Sequence, residues 1–144
     1  MINSFRGENY FLSNFYTAEV SYNGITYLNN EAAFQAQKTL DLNEREKFKR
    51  LPPNSAKALG RKVKLRPDWE EVKDKIMFEI CLAKFTNPKN SELKQKLLDT
   101  GTEYLEEEGS TWGDMYWGTV DGIGRNRLGK ILMEVRKRIS KESS

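Results

Sequence analysis

Two stretches of this sequence carry residues able to do chemistry. The first is T-W-G-D-M-Y-W-G-T-V-D-G-I-G-R-N-R-L-G, from Thr111 to Gly129. It holds two tryptophans, a tyrosine, two aspartates and five glycines in nineteen positions. Aromatic faces, carboxylates and permissive backbone beside a helix start are what a nucleotide-like ligand needs. Stacking of a base or sugar on Trp112, Tyr116 or Trp117 is worth about 1–3 kcal/mol per base, although the lid of a hydrophobic core uses the same residues. Asp114 sits between aromatics, a partly desolvated setting that suits proton work, whereas Asp121-Gly122 reads as a turn. Gly118, Gly122 and Gly124 precede a helix whose first residues are Asn126 and Arg127, and a helix N-terminus offers unpaired N–H donors to an anion. Neither a Walker A loop nor a dinucleotide fingerprint is present, since no G-K-[ST] and no βαβ pattern accompany these glycines. A three-glycine loop also stands without a ligand.

The second stretch is a row of Glu31, Gln35 and Lys38. At about 100° per residue they form one polar stripe, opposite Ala32, Ala33, Ala36 and Leu40. On periodicity alone the stripe reads as solvated surface, with Glu31 well placed in a first helical turn. The histidine count of zero gives these residues more weight. Ser-His-Asp and Cys-His arrangements and histidine-ligated zinc are excluded, so acid–base work falls to Asp, Glu, Lys or Tyr. The single cysteine, Cys81, forms no internal disulfide and lies in an apolar helical stretch, where it reads as a buried thiol.

The elements that position these rows follow from pattern. Val20–Tyr22 and Ile25–Tyr27 flank Asn23-Gly24, the strongest hairpin signal in the chain. Glu31–Leu40 is a predicted helix capped by Asn29 or Asn30, its alanine face allowing a neighbour to come close. Leu42–Leu51 is a charged helix stopped by Pro52-Pro53, and Asn54 caps a short helix ending at Gly60. Asp68 and Glu71 make a capping-box pattern before a long helix with Trp69, Val72, Ile76, Ile80 and Ala83 on one stripe. Beyond Met77 that helix is apolar nearly all round and belongs in the core, until Asn87-Pro88 breaks it. Ser91–Leu98 is helical, Glu103–Glu107 a short strand, and Asn126–Ile139 an amphipathic helix with Leu128, Ile131, Leu132, Val135 and Ile139 in phase.

The 144 residues fit one domain with no internal boundary or repeat. Charged residues make up 31% with mixed signs, which fits a globular chain. A net charge of +3 does not by itself imply nucleic-acid binding, and Arg136, Lys137, Arg138 and Lys141 read as a solvated helix end. No apolar run approaches the roughly 18 residues of a membrane span. The start has no signal-peptide character, so the expected location is cytoplasmic.

Three motifs, taken together, carry a family resemblance. F-R-G-E-N-Y-F-L-S-N-F-Y (Phe5–Tyr16), N-E-A-A-F-Q-A-Q-K (Asn30–Lys38), and D-M-Y-W-G with G-I-G-R-N-R-L-G-K-I-L-M-E-V-R (Asp114–Gly118, Gly122–Arg136) resemble the NADAR domain, or YbiA-like N-glycosidase family. The likeness covers nearly the whole chain, residues 1–144. It implies an α+β fold, compact and mostly helical with a small β-sheet, that hydrolyses an N-glycosidic bond with no metal or organic cofactor. Members act on phosphorylated ribosylamine intermediates of riboflavin synthesis or remove ADP-ribose from the amino group of guanine. Carried over by motif, Lys38, Glu31 and Asp114 are the implied catalytic residues. The implied substrate contacts are Arg6, Gly7, Asn14 and Phe15 from the first motif, Glu106 or Glu107, and Tyr116, Trp117, Gly118, Asn126 and Gly129 from the last. The chain departs from the family in Ala32, where members commonly have His, in a longer Leu105–Asp114 segment, and in Thr119-Val120.

With the resemblance, the Glu31–Lys38 stripe becomes a catalytic wall instead of solvated surface. Breaking a C–N bond to ribose needs charge stabilised at C1 and a proton for the leaving nitrogen, which are tasks for carboxylates. A lysine of lowered pKa can instead trap the ring-opened sugar as a Schiff base. The competing reading is a module that binds ADP-ribose-like ligands without turnover, for which Lys38 is unnecessary. A nucleic-acid adaptor built on the basic tail fits least, because no aromatics interleave there. The expected partner is a nucleotide-like small molecule, free or as ADP-ribosylated guanine in nucleic acid, and no membrane.

Overall fold

Asn23 and Gly24 both take positive φ, 49° and 84°, the geometry of the two-residue turn whose twist matches paired strands. It joins β1 (Thr17–Tyr22) to β2 (Ile25–Asn29). Tyr22 opposes Ile25 and Val20 opposes Tyr27, with an irregularity between Thr17 and Val20. This is the computed structural model of the chain and it describes residues 1–109 and 113–143. Among them the protein is mostly helical with this single two-stranded antiparallel sheet. They group into two units, residues 14–91 and residues 1–13 with the chain from Glu92 on.

In the first unit the hairpin leads into α1 (Asn30–Ala36), followed by α2 (Leu42–Glu46), α3 (Pro53–Gly60) and α4 (Trp69–Thr86). Asn29 caps α1, its Oδ1 accepting from the Ala32 N–H at 2.7 Å while its amide donates to the Leu51 carbonyl at 3.0 Å. α1 packs on β2, α3 and α4, and every one of its residues is buried, Glu31 and Gln35 included. The stripe is therefore not solvated surface. The helix is also shorter than its periodicity predicts. It ends at Ala36, after which Lys38 and Thr39 make i→i+3 bonds to Gln35 and Ala36, and Leu40 is exposed instead of sharing the alanine face.

Other boundaries move for local reasons. α2 stops at Glu46 and the chain continues to Leu51 in i→i+3 turns that bury Phe48. α3 begins at Pro53 with Pro52 at the cap position, so Asn54 lies inside the helix and does not cap it. Asp68 makes no capping bond to α4 because its carboxylate is held by Arg66 through two N–H donors, at 2.6 and 3.0 Å. The expected core half of α4 holds Met77, Ile80, Cys81 and Phe85, all buried. Burial pushes the Cys81 thiol up to about 12, which makes it inert. Lys84 is buried beside it, its ammonium over the Tyr16 and Phe85 rings at 5.5 and 5.0 Å.

The second unit contains a 3₁₀ turn (Gly7–Leu12), α5 (Ser91–Asp99) and α6 (Arg127–Ser143). Leu128, Ile131, Leu132, Val135 and Ile139 of α6 are all buried, as their spacing predicts. The predicted strand at 103–107 is only an isolated bridge, Ile2 to Leu105. The basic tail is not wholly solvated: Arg136 is buried and donates to Thr100 Oγ1 at 2.9 Å, while Lys137, Arg138 and Lys141 are exposed.

Candidate active site

The row on α1 is built from backbone outward. The Glu31 N–H donates to the Asn14 carbonyl at 3.1 Å, and the Asn30 amide donates to Asn14 Oδ1 at 3.2 Å, so Asn14 fixes the start of the helix. One turn on, Gln35 Nε2 donates to Glu31 Oε2 at 2.7 Å. Behind Gln35 lies Gly60, the last residue of α3. A Cβ there would sit 2.0 Å from Gln35 Oε1 and 2.9 Å from its Cδ, so only glycine lets α3 come this close. The carboxylate of Glu31 is thus oriented by an amide that is itself wedged in place.

Lys38 follows the helix and lies in the turn after it, half-buried. Three successive carbonyls of that turn are held by arginines. Arg66 donates from Nη1 to Gln37 O at 3.4 Å and from its backbone N–H to Lys38 O at 2.7 Å, and Arg45 Nε donates to Thr39 O at 2.8 Å. The ammonium lies 5.9 Å from the ring centroid of Trp69, which in turn packs against Phe34 at 5.0 Å. Burial pushes the Lys38 amine below the ordinary lysine range. The Glu31 charge opposes that shift, and Arg61 and Lys57 add to it. A half-buried amine of lowered basicity, beside a carboxylate and under an indole, has the makings of a nucleophile.

The glycine loop is organised differently from its sequence expectation. Asp114 Oδ1 accepts from the N–H groups of Tyr116 and Trp117, both at 2.9 Å, and so shapes its own turn. Tyr116 packs edge-on against Trp117 at 4.8 Å, with the Arg125 guanidinium over its ring at 4.9 Å. The N–H groups of Arg125, Asn126, Arg127 and Leu128 donate to the carbonyls of Met115, Gly118, Tyr116 and Trp117 at 2.7–3.2 Å. The start of α6 therefore spends these four donors on the loop itself instead of offering them to an anion. Gly118 is where backbone meets backbone, since a Cβ would lie 2.4 Å from Glu107 O. Asp121-Gly122 is the expected turn, both residues at positive φ.

Asn126 is buried, accepting from Glu107 N at 3.2 Å and donating to Leu105 O at 2.9 Å. Gly129 packs on the same carbonyl, 2.1 Å from where its Cβ would be. Glu106 accepts from Thr119 Oγ1 at 2.6 Å, and Arg6 donates to Gly109 O at 2.7 Å. Gly7 is exposed at φ 57°. Thr111 and the stacking candidate Trp112 lie outside the described residues.

Of the residues expected to form a site, Asn14, Phe15, Glu31 and Lys38 are gathered in the unit of residues 14–91, with Lys57 Nζ 5.8 Å from the Phe15 ring centroid. Arg6, Gly7, Glu106, Asp114, Tyr116, Trp117, Gly118, Asn126 and Gly129 belong to the other unit. Trp69, Gly60, Lys57, Arg61 and Arg66 also attend Lys38 or its neighbours, and sequence reasoning passed over them. In the sequence Trp69 reads as part of a core stripe and Gly60 as a helix stop. A lysine and an arginine four apart around that glycine were the available signal. Among the described residues no cluster of three His, Cys, Asp or Glu side chains is placed to hold a metal ion.

Comparison with known proteins bears on this geometry. The family model of the NADAR domain matches residues 3–140. The chain is 40% identical over 134 residues to the N-glycosidase YbiA of Escherichia coli, covering 90% of this chain and 81% of that one. It is 36% identical over 138 residues to a riboflavin biosynthesis protein of Vibrio vulnificus, spanning 92% of this chain but 36% of that longer protein. The NMR structure of E. coli YbiA superposes with a TM-score of 0.83 at 35% identity, covering 99% of this chain and 89% of the other.

Proposed function

The chain belongs to the NADAR domain family, and from that premise we propose that it is an N-glycosidase cleaving the C–N bond of an ADP-ribosyl or ribosyl-phosphate substrate. The substrate class is ADP-ribosylated guanine or a phosphorylated riboflavin-pathway intermediate. Lys38, Glu31 and Asp114 are the catalytic residues of this reading. The observation that carries it is the Lys38 amine, held by an arginine-bound turn under Trp69 and made less basic by burial.

The chemistry follows from that amine. Ring opening of the N-glycoside moves the C1–O bonding pair to the ring oxygen, which takes a proton and leaves C1 as an iminium of the departing amine. Neutral Lys38 Nζ adds to C1. A carboxylate carries one proton from the added Lys38 nitrogen to the original nitrogen, which leaves with the C–N electron pair as the Nζ lone pair forms the double bond, and Lys38 remains as a protonated Schiff base. Water then adds at C1, a carboxylate accepts its proton, and the lysine is expelled as the sugar aldehyde forms. One water is consumed, and one amine and one sugar are released. Glu31, oriented by Gln35, is the carboxylate proposed for these proton transfers, and Asp114 enters the proposal through its motif alone.

Incubation of purified protein with ADP-ribosylated guanine and with phosphorylated ribosylamines, followed by chromatography, tests the reading. Release of ADP-ribose or ribose phosphate is expected, with borohydride reduction attaching the sugar to Lys38 by mass. Lys38→Ala is expected to abolish turnover and largely spare binding. Tight binding with no product from any substrate would leave a binding module in place of an enzyme.

A further inference from the structure

Lys38 leaves α1 at the point where the helix changes its hydrogen bonding. In a regular α-helix the N–H of Gln37 would donate to the Ala33 carbonyl, four residues back. Here it donates to Phe34 O at 3.1 Å, and Lys38 and Thr39 follow with bonds to Gln35 O and Ala36 O at 3.1 and 3.4 Å. The Ala33 carbonyl still has a donor, because Gln37 Nε2 takes it at 3.0 Å. The side chain of Gln37 stands in for its own backbone N–H. Gln37 is fully buried, and its amide has partners on both sides. Nε2 also donates to Tyr27 Oη at 3.5 Å, and Oε1 accepts from Asn23 Nδ2, at the hairpin tip, at 3.4 Å. Turned over, the amide would set its oxygen against the Ala33 carbonyl, acceptor facing acceptor, so its orientation is dictated.

We infer that Gln37 is a positioning residue for Lys38: its side-chain amide takes the Ala33 carbonyl, switches the end of α1 from i→i−4 to i→i−3 bonds, and so sets where the Lys38 amine comes to rest. The inference rests on the glycosidase reading for the importance of that amine, but not for its geometry. A 3₁₀ turn advances about 120° and 2.0 Å per residue, against about 100° and 1.5 Å in an α-helix. Over the two residues Gln37 and Lys38 the paths separate by about 40° and about 1 Å. That is enough to take Lys38 from its place 5.9 Å from the Trp69 ring centroid, and a misplacement of that size costs up to about 100-fold in rate. Without the side-chain donor the buried Ala33 carbonyl would draw the N–H of residue 37 back, since an unpaired buried acceptor is costly. The helix would then run on through Lys38.

Gln37→Met tests this, because methionine keeps the length of the side chain and loses its donors. The measurements are backbone Cα chemical shifts at residues 37–39, the pH profile of Lys38 acetylation by acetic anhydride, and kcat and KM. Helical shifts are expected to extend to Thr39, and the acetylation profile to move up toward the ordinary lysine range as the amine leaves its half-buried place. A fall in kcat of about 10- to 100-fold is expected, with KM little changed. The charges that act on Lys38, from Glu31, Lys57 and Arg61, are the same in wild type and variant, so a moved profile reports a moved amine. Asn23→Gly suits the positive φ of its turn and leaves the Ala33 bond intact, and it should keep the wild-type profile. A Gln37→Met protein that only loses thermal stability, with shifts and profile unchanged, overturns the inference, as does an equal change in Asn23→Gly. Hydrogen exchange in the wild type needs no variant to fold. The Gln37 Nε2 protons should exchange far more slowly than those of exposed Gln95, and equal rates would remove the bond on which the positioning depends. If the profile moves in Gln37→Met but the wild type cleaves none of the candidate substrates, the positioning stands and the glycosidase reading fails alone.

Discussion

Gly60→Ala is a sharp probe of how Glu31 is held. The backbone at Gly60 is helical, so alanine suits its conformation, and in an open position it would stabilise the helix by up to about 1 kcal/mol. Here the new Cβ would lie 2.0 Å from Gln35 Oε1, 2.9 Å from Cδ and 3.3 Å from Cβ. The first two contacts are impossible, and Gln35 is buried at 6% exposure, so its amide has little room to rotate away. Moving it breaks the 2.7 Å bond to the Glu31 carboxylate, a loss of about 1.5–3 kcal/mol for a bond to a charged group. Net destabilisation is expected at about 1–2 kcal/mol in denaturant unfolding, together with a fall in kcat of roughly tenfold as Glu31 loses its orientation. The decisive measurement is the double mutant. In a Gln35→Ala background the two impossible contacts vanish and only the 3.3 Å approach to Cβ remains. There Gly60→Ala should become neutral or stabilising. Equal destabilisation in both backgrounds would show that Gly60 acts through something other than Gln35, and the account of how Glu31 is oriented would fall.

Arg66→Ala removes the Nη1 bond to the Gln37 carbonyl and leaves the backbone N–H bond to the Lys38 carbonyl in place, and kcat should drop roughly tenfold with KM little changed, as for a misplaced reacting group. Full activity in that variant would mean the turn holds Lys38 without its arginine. If Lys38 acts as a neutral amine, the rate rises with pH along a limb below the ordinary lysine range, and Lys57→Met shifts that limb upward because one cation that lowers the amine is gone. A limb that stays put assigns the titration to another group. Lys84 is pushed down to about 8 by burial, against an ordinary 10.5. Below pH 8 both states hold its proton, while between about 8 and 10.5 only the unfolded chain does, so this term makes stability rise with pH. From pH 7 to 9 the wild type should gain about 1 kcal/mol relative to Lys84→Met in chemical denaturation, and parallel pH curves would mean the buried amine stays charged.

The parts of the fold that were legible in the sequence are those where one local rule governs. Asn23-Gly24 requires positive φ at two residues and makes its hairpin. The apolar spacing from Leu128 to Ile139 is a helix wherever it packs, and the apolar half of α4 buries Met77, Ile80, Cys81 and Phe85 while Phe78 and Leu82 are only half-buried. Misreadings fall where a side chain had two possible partners. Asp68 has the spacing of a cap, but Arg66 takes its carboxylate, and that same arginine then holds the carbonyls of the Lys38 turn. After the early end of the Glu31 helix, the carbonyls of Gln37, Lys38 and Thr39 are taken by Arg66 and Arg45, residues distant in sequence that periodicity cannot weigh. Glu31, Gln35 and Lys38 were visible as a row, but their burial depends on α3 and on a glycine whose missing Cβ is a tertiary fact.

The glycine loop shows the same principle with a consequence for chemistry. Glycines before a helix start predict open N–H donors only if nothing nearer accepts from them. In this chain the carbonyls from Met115 to Gly118 fold back and take the donors of Arg125 to Leu128. Asp114, the carboxylate that the sequence offered for catalysis, uses one oxygen to close that turn. A carboxylate so anchored is well oriented, since two backbone donors fix its plane, and its anchored oxygen is already engaged in the turn. Proton transfer by Asp114 would therefore pass through its other oxygen. Asp114→Asn tests this, because the amide keeps an oxygen for the Tyr116 and Trp117 donors while replacing the other by NH₂. Turnover should fall with the thermal midpoint nearly unchanged. An equal fall in the midpoint would assign Asp114 to the shape of the loop, leaving the proton work to Glu31.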